Sequence, residues 1–230
     1  KDGTYGKQLN FSVLFNATTG HCLSYRLYSG NCPDNLTMSD FRQLWTGMGI
    51  PEKKAVIVVD RGYYSADEFA KLDSDGIGFI AGAKTNLKAV REVIEEHNSE
   101  FYEAKNLLRN RGCYAVSSRY SIGSRQDPVD LNLFVYRSPV NEMSQTDELY
   151  ERLDRIEQAW LDGDTDALAD NDRVFYKAPV PGEPLVRDEE QITQYCYTPG
   201  YFAFSSNVVT DVVTCYDDYS FRNEIEVFFK

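Results

Sequence analysis

The chain has 230 residues, 42% of them hydrophobic and 13% aromatic, enough to pack one large domain or two small ones and too much for a disordered chain. No apolar run is long enough to cross a bilayer and the opening residues K-D-G-T-Y-G-K lack an apolar signal core, which argues against a membrane protein, while the scattered cysteines fit a reducing cytoplasm. The formal charge of −12 argues against nucleic acid as a partner, but residues 141–190 alone hold fifteen acids against five bases, leaving the rest nearly neutral at −2.

From Lys7 the chain alternates, with Leu9, Phe11, Val13 and Phe15 set against Gln8, Asn10, Ser12 and Asn16, the pattern of a half-buried strand. Ala17–Gly20 turns it into a second strand near Cys22–Tyr28, so a hairpin is expected. After the loop S-G-N-C-P-D-N, Thr37 with Asp40 three residues on can cap a helix whose apolar face is Phe41, Leu44, Trp45 and Met48.

Ala55–Tyr64, A-V-I-V-V-D-R-G-Y-Y, is the stretch around which the rest is organised. Its β-branched run without polar alternation reads as a strand buried on both faces, and Gly62 lets the chain turn away at once. Asp60 then either starts a turn or caps the next helix, or stands at the strand end where α/β sheets open their ligand crevices. Ser65-x-x-Glu68 is a capping box for a short helix, and Ile77–Ala81 is another apolar strand, so 55–81 reads as a parallel βαβ unit.

Beyond Lys84 the character changes. A helix is expected near Leu87–His97, strands at Tyr114–Tyr120 and Leu131–Tyr136, and a helix from about Thr146 to Leu161. D-G-D-T-D at 162–166 lacks the offsets of a calcium loop and reads as acidic solvated surface. Gly200–Ser206 is a last strand, and from about Thr210 a helix is expected to run to the end of the chain. In that helix Tyr219, Arg222 and Glu226 fall within about 60° of one another, beside an apolar stripe of Phe221, Ile225, Phe228 and Phe229. Two readings stand: an amphipathic helix with one Arg222–Glu226 ion pair, or a carboxylate held at the sheet edge and steadied by Arg222.

The five cysteines, at 22, 32, 113, 196 and 215, include no C-x-x-C pair, so free thiols are expected and a zinc site is not. His21 and His97 read as a turn and a helix-end residue.

Taken together, V-V-D-R-G-Y-Y-S and the distant Y-x-x-R-x-x-x-E resemble the bacterial insertion-sequence transposases of the DDE type, in the branch with the Y-R-E-K signature. Y-S-G-N-C-P-D-N resembles that family's G-N-x-x-D loop, and G-Y-F-A-F-S-S-N the strand before its glutamate helix. The likeness covers roughly residues 3–85 and 198–230. It implies an RNase H-like mixed sheet with flanking helices, its core formed by residues 1–84 and 198–230, and an inserted α+β subdomain at 85–197, acidic at 141–190. It implies Asp60 and Glu226 as catalytic acids and metal ligands, and Tyr219, Arg222 and Arg61 as contacts to DNA phosphate. The family's first aspartate, in a D-x-T context, and its signature lysine have no counterpart here, so the chain resembles a piece of a catalytic domain, expected to be inactive alone.

The chemistry so implied is cleavage and joining of strands at transposon ends, with DNA as partner and a homodimer as the synaptic assembly. Phosphoryl transfer needs an in-line nucleophile and two Mg²⁺ or Mn²⁺ ions about 3.5–4 Å apart, held by hard oxygen ligands such as carboxylates. Lys84, Lys88 and Arg91 read as solvated surface or as further DNA contacts. Two other readings stay open: a decayed or repurposed transposase-derived interaction module without chemistry, and a different RNase H-like nuclease.

Overall fold

A computed structural model describes residues 9–16, 19–32, 34–49, 56–124, 127–180 and 182–222. It is a mixed α/β protein. Strands β1 (Leu9–Asn16) and β2 (His21–Ser29) form an antiparallel hairpin with a bulge between Leu14 and Phe15. Helix α1 (Asp34–Gly47) follows, starting earlier than expected: Thr37 is buried within it. Asp40 does not cap the helix; it accepts a hydrogen bond from the Tyr28 hydroxyl at 2.9 Å.

The next elements realise the expected βαβ unit. Strand β3 (Val56–Val59) pairs in parallel with β4 (Gly78–Ala83), Val56 opposite Gly78 and Val59 opposite Ala81, and α2 (Ala66–Ser74) connects them. Ser65 caps α2, its hydroxyl accepting from the Glu68 amide. Every residue of β4 is buried, as a strand covered on both faces requires. β3 is less covered: among the described residues it pairs with β4 alone, and Val56 is exposed.

Further on come α3 (Lys88–Glu96), β5 (Leu107–Leu108), β6 (Cys113–Ser124), β7 (Asp127–Arg137), α4 (Pro139–Leu161), α5 (Glu189–Cys196), β8 (Tyr201–Ser206) and α6 (Val212–Ser220). Six strands make one mixed sheet in the order β3-β4-β8-β7-β6-β5, and the β1–β2 hairpin is a separate two-stranded sheet. β8 runs antiparallel to β4, with Gly82 opposite Phe204. Helix α4 begins seven residues before the sequence expectation, because Ser138 caps it and Pro139 fits its first position. Among the described residues no helix is long and apolar enough to cross a membrane.

The described residues divide into two compact units. The first takes residues up to Asn98, Val116–Val135 and those from Ala203 onward; the second takes Ser99–Ala115 and Tyr136–Phe202. These boundaries differ from a division at 84 and 198, since most of β6 and β7 falls in the first unit. The first unit's core is Met38 of α1, Phe69 and Leu72 of α2, Phe79 and Ala81 of β4, with Ile57, Ile77, Ile122 and Leu131. One end of it is closed by Asn207, whose side chain accepts from the Phe79 amide and donates to the Ile77 carbonyl and the Asp73 carboxylate. In the second unit Leu149, Leu153 and Ile156 of α4 pack with Leu168, Phe175, Tyr176 and Ile192. Asp162 and Asp164 there serve as caps, Asp162 at the end of α4 and Asp164 through a bond from the Asp166 amide.

Candidate active site

Asp60 stands where β3 ends, and its carboxylate is half-exposed. It does begin a turn: Oδ1 accepts the amide of Arg61 at 2.7 Å, capping a 3₁₀ turn over Arg61–Tyr63. The turn is only part of its environment. The Tyr219 hydroxyl, 159 residues away, donates to the same Oδ1 at 3.1 Å. The Arg222 guanidinium forms an ion pair with Oδ2 at 2.9 Å. Three partners, two of them distant in sequence, converge on one carboxylate; Oδ1 already accepts two bonds, and Oδ2 retains room for a further partner.

The local fold explains the convergence. Asp211 caps α6, accepting from the amides of Val213 and Thr214. The helix ends at Ser220, and the Arg222 amide closes a turn on the Tyr219 carbonyl at 3.0 Å. Arg222 therefore lies past the end of α6, and its guanidinium pairs with Asp60. Its guanidinium also sits over the Tyr219 ring, 5.3 Å from the centroid. Glu226 lies outside the described residues. Tyr219 is stacked on Phe204 of β8 with centroids 3.9 Å apart. Burial, and then the neighbouring Asp60 charge, push its phenol well above the ordinary tyrosine value, so the hydroxyl keeps its proton and acts as a donor.

Of the other residues singled out, Arg61 contributes its amide to Asp60 and exposes its side chain. Lys84, Lys88 and Arg91 are exposed, and Lys88 pairs with Glu92 across one helical turn. His97 ends α3 and His21 starts β2. The five cysteines are free thiols, with Cys113 and Cys215 buried. Phe204 and Gly82 belong to the site and were not anticipated; Gly82 lies one residue beyond the strand expected at Ile77–Ala81.

The second unit holds a separate polar cluster. Arg137, at the end of β7, lies against the rings of Tyr102 and Tyr201, with centroids at 4.5 and 4.9 Å, and forks the Glu142 carboxylate. The Arg137 hydrogen bond holds Glu142 below the usual carboxylate range. A folded-state pKa below the unfolded one gives stability that is present above the ordinary glutamate value and disappears as pH falls through the folded one. The urea unfolding midpoint of the second unit is therefore expected to drop on acidification below about pH 4.5, with a shallower drop in Glu142→Gln, followed by Trp160 fluorescence with Trp45 replaced by phenylalanine.

What the first unit presents is thus a carboxylate-centred site at the strand end of a parallel βαβ unit, bracketed by a tyrosine and an arginine from a distant helix end. A scan against protein-family models matches none, and a search of curated proteins finds no match. Among the described residues no three His, Cys, Asp or Glu side chains gather closely enough to hold a metal ion.

Proposed function

We propose that the chain carries part of the catalytic domain of a DDE-type DNA transposase, an RNase H-like core with an inserted α+β subdomain. The observation that supports this best is the meeting of Asp60 with Tyr219 and Arg222, three positions of the motifs that resemble that family. The parallel β3–β4 pair and the β4–β8 pairing are compatible with such a core.

Asp60 suits a hard divalent cation: it is a half-exposed carboxylate at a strand end with coordinating capacity left on Oδ2. In this reading Asp60, Glu226 and a third carboxylate, which the family carries on an upstream strand, hold Mg²⁺ or Mn²⁺. Bound there, the ions would supply charge stabilisation at the transferring phosphoryl group. The protein's own residues orient and neutralise. The Arg61 amide and the Tyr219 hydroxyl hold Asp60 in one rotation, and Arg222 is a planar donor suited to a phosphate oxygen once a cation shares Asp60. DNA ends and target are the substrates, and a homodimer is the synaptic assembly.

The test is Mn²⁺ binding to this chain, read from the electron paramagnetic resonance of free Mn²⁺. Weak saturable binding that disappears in Asp60→Asn is expected. A second reading, a non-catalytic interaction module, is favoured by the Arg222–Asp60 ion pair, which already neutralises the carboxylate. No binding by the native chain, with Asp60→Asn altering only stability, would select that reading.

A further inference from the structure

The donors on Asp60 meet over one point of β4. Gly82 lies opposite Phe204 in the β4–β8 register, so a side chain there would share a face with the Phe204 ring. A Cβ built on Gly82 would come within 2.8 Å of the Arg61 amide nitrogen and 2.8 Å of the Tyr219 hydroxyl oxygen, with Arg61 Cα at 3.2 Å. The first two are the groups that donate to Asp60 Oδ1. Phe204 meanwhile clamps the Tyr219 ring from the neighbouring strand.

We propose that Gly82 is a positioning residue for Asp60: its missing side chain is the space in which the Arg61 amide and the Tyr219 hydroxyl are held against the carboxylate. The physical logic is one of close approach. Backbone nitrogen cannot retreat as a flexible side chain can, so any Cβ here lifts the Arg61 turn off β4 and displaces the phenol together. With both donors shifted, Asp60 loses the two bonds that set the rotation of its carboxylate. In the transposase reading, on which this consequence rests, a metal ligand without a fixed orientation binds its ion more weakly.

Another glycine on the same strand supplies a control. At Gly78 a Cβ would meet the Val208 side chain at 3.0 and 3.2 Å, a milder crowding against side-chain methyls at the other end of β4 from Asp60. Gly78→Ala should therefore cost stability without touching the Asp60 donors.

The experiment places ¹³Cζ-tyrosine in the native chain and in the variants, at one neutral pH. The Tyr219 resonance is identified by its loss in Tyr219→Phe, and its shift on Asp60→Asn measures the hydroxyl–carboxylate contact. Gly82→Ala is expected to abolish that shift, and Gly78→Ala to preserve it. A full-sized shift in Gly82→Ala overturns the proposal. Should Gly82→Ala fail to fold, the double variant Gly82→Ala/Tyr219→Phe decides. Removing the hydroxyl takes away one of the two obstructions and leaves the Arg61 backbone contact, so partial recovery of the folded fraction is expected, and a folded fraction no higher than that of Gly82→Ala overturns the proposal. A Mn²⁺ titration of the same proteins separates the two layers. An Mn²⁺ affinity about 10–100-fold lower in Gly82→Ala than in Gly78→Ala supports both. A lost Tyr219 shift with no Mn²⁺ bound by any protein keeps the positioning role and ends the metal reading.

Discussion

Metal-dependent strand cleavage, assayed on a product of the wider reading frame extended at both ends, is expected to fall roughly a thousandfold or more when Asp60 becomes alanine. The size follows from what the carboxylate does in the proposed site. There it would be a ligand to the cations, and it is also the carboxylate on which Tyr219 and Arg222 converge, so its loss unties both at once. Groups that act as a unit lose function together rather than in proportion. The 230-residue chain by itself is expected to show no cleavage with Mg²⁺ or Mn²⁺. Cleavage by that chain, abolished by Asp60→Ala, would show that a third ligand lies within these residues. Undiminished cleavage by the extended Asp60→Ala protein would end the active-site reading.

Phe69→Ala is expected to cost about 3–5 kcal/mol in the stability of the first unit, the range for emptying a fully buried aromatic position. Phe69 has no exposed surface, stacks on Phe79 at 4.6 Å and meets Tyr64 edge to face at 5.3 Å. Its loss removes the packing that holds α2 to β4 and loosens Tyr64, whose hydroxyl lies 3.3 Å from that of Tyr120. Urea unfolding checks this. With Trp45 of α1 replaced by phenylalanine in both proteins, Trp160, packed on the second unit's core, reports that unit by fluorescence, and circular dichroism reports both. A large shift in the dichroism midpoint with the Trp160 transition unmoved is the expected result; equal shifts in both would mean that the units unfold as one.

Much of the local structure was legible without coordinates. The alternation from Leu9 to Asn16, the serine cap before α2 and the valine run into Asp60 all depend on neighbours within four residues, and those elements form where the sequence places them. Errors fell where tertiary contact competes with a local signal. Thr37 resembles a helix cap but is buried inside α1, and Asp40 answers Tyr28 on β2. Helix α5 has only a faint apolar pattern and was not anticipated; its Ile192 is buried in the second unit's core and Asp188 caps it.

The sequence by itself determined that an acid ends a β-branched strand, that a glycine follows it, and that a tyrosine and an arginine lie three residues apart near the far end. It left open whether Asp60 merely starts a turn, because the turn and the site make the same demand on residues 60–62. Only the tertiary structure decided that Asp60 both caps that turn and accepts Tyr219 and Arg222. That decision depends on the β4–β8 register, which sets Gly82 beside Phe204 and so lets a phenol from α6 lie across the sheet to reach the carboxylate. Register between strands more than a hundred residues apart is a property of the packed sheet, where a slip of one residue would turn Phe204 to the other face, and no local pattern encodes it.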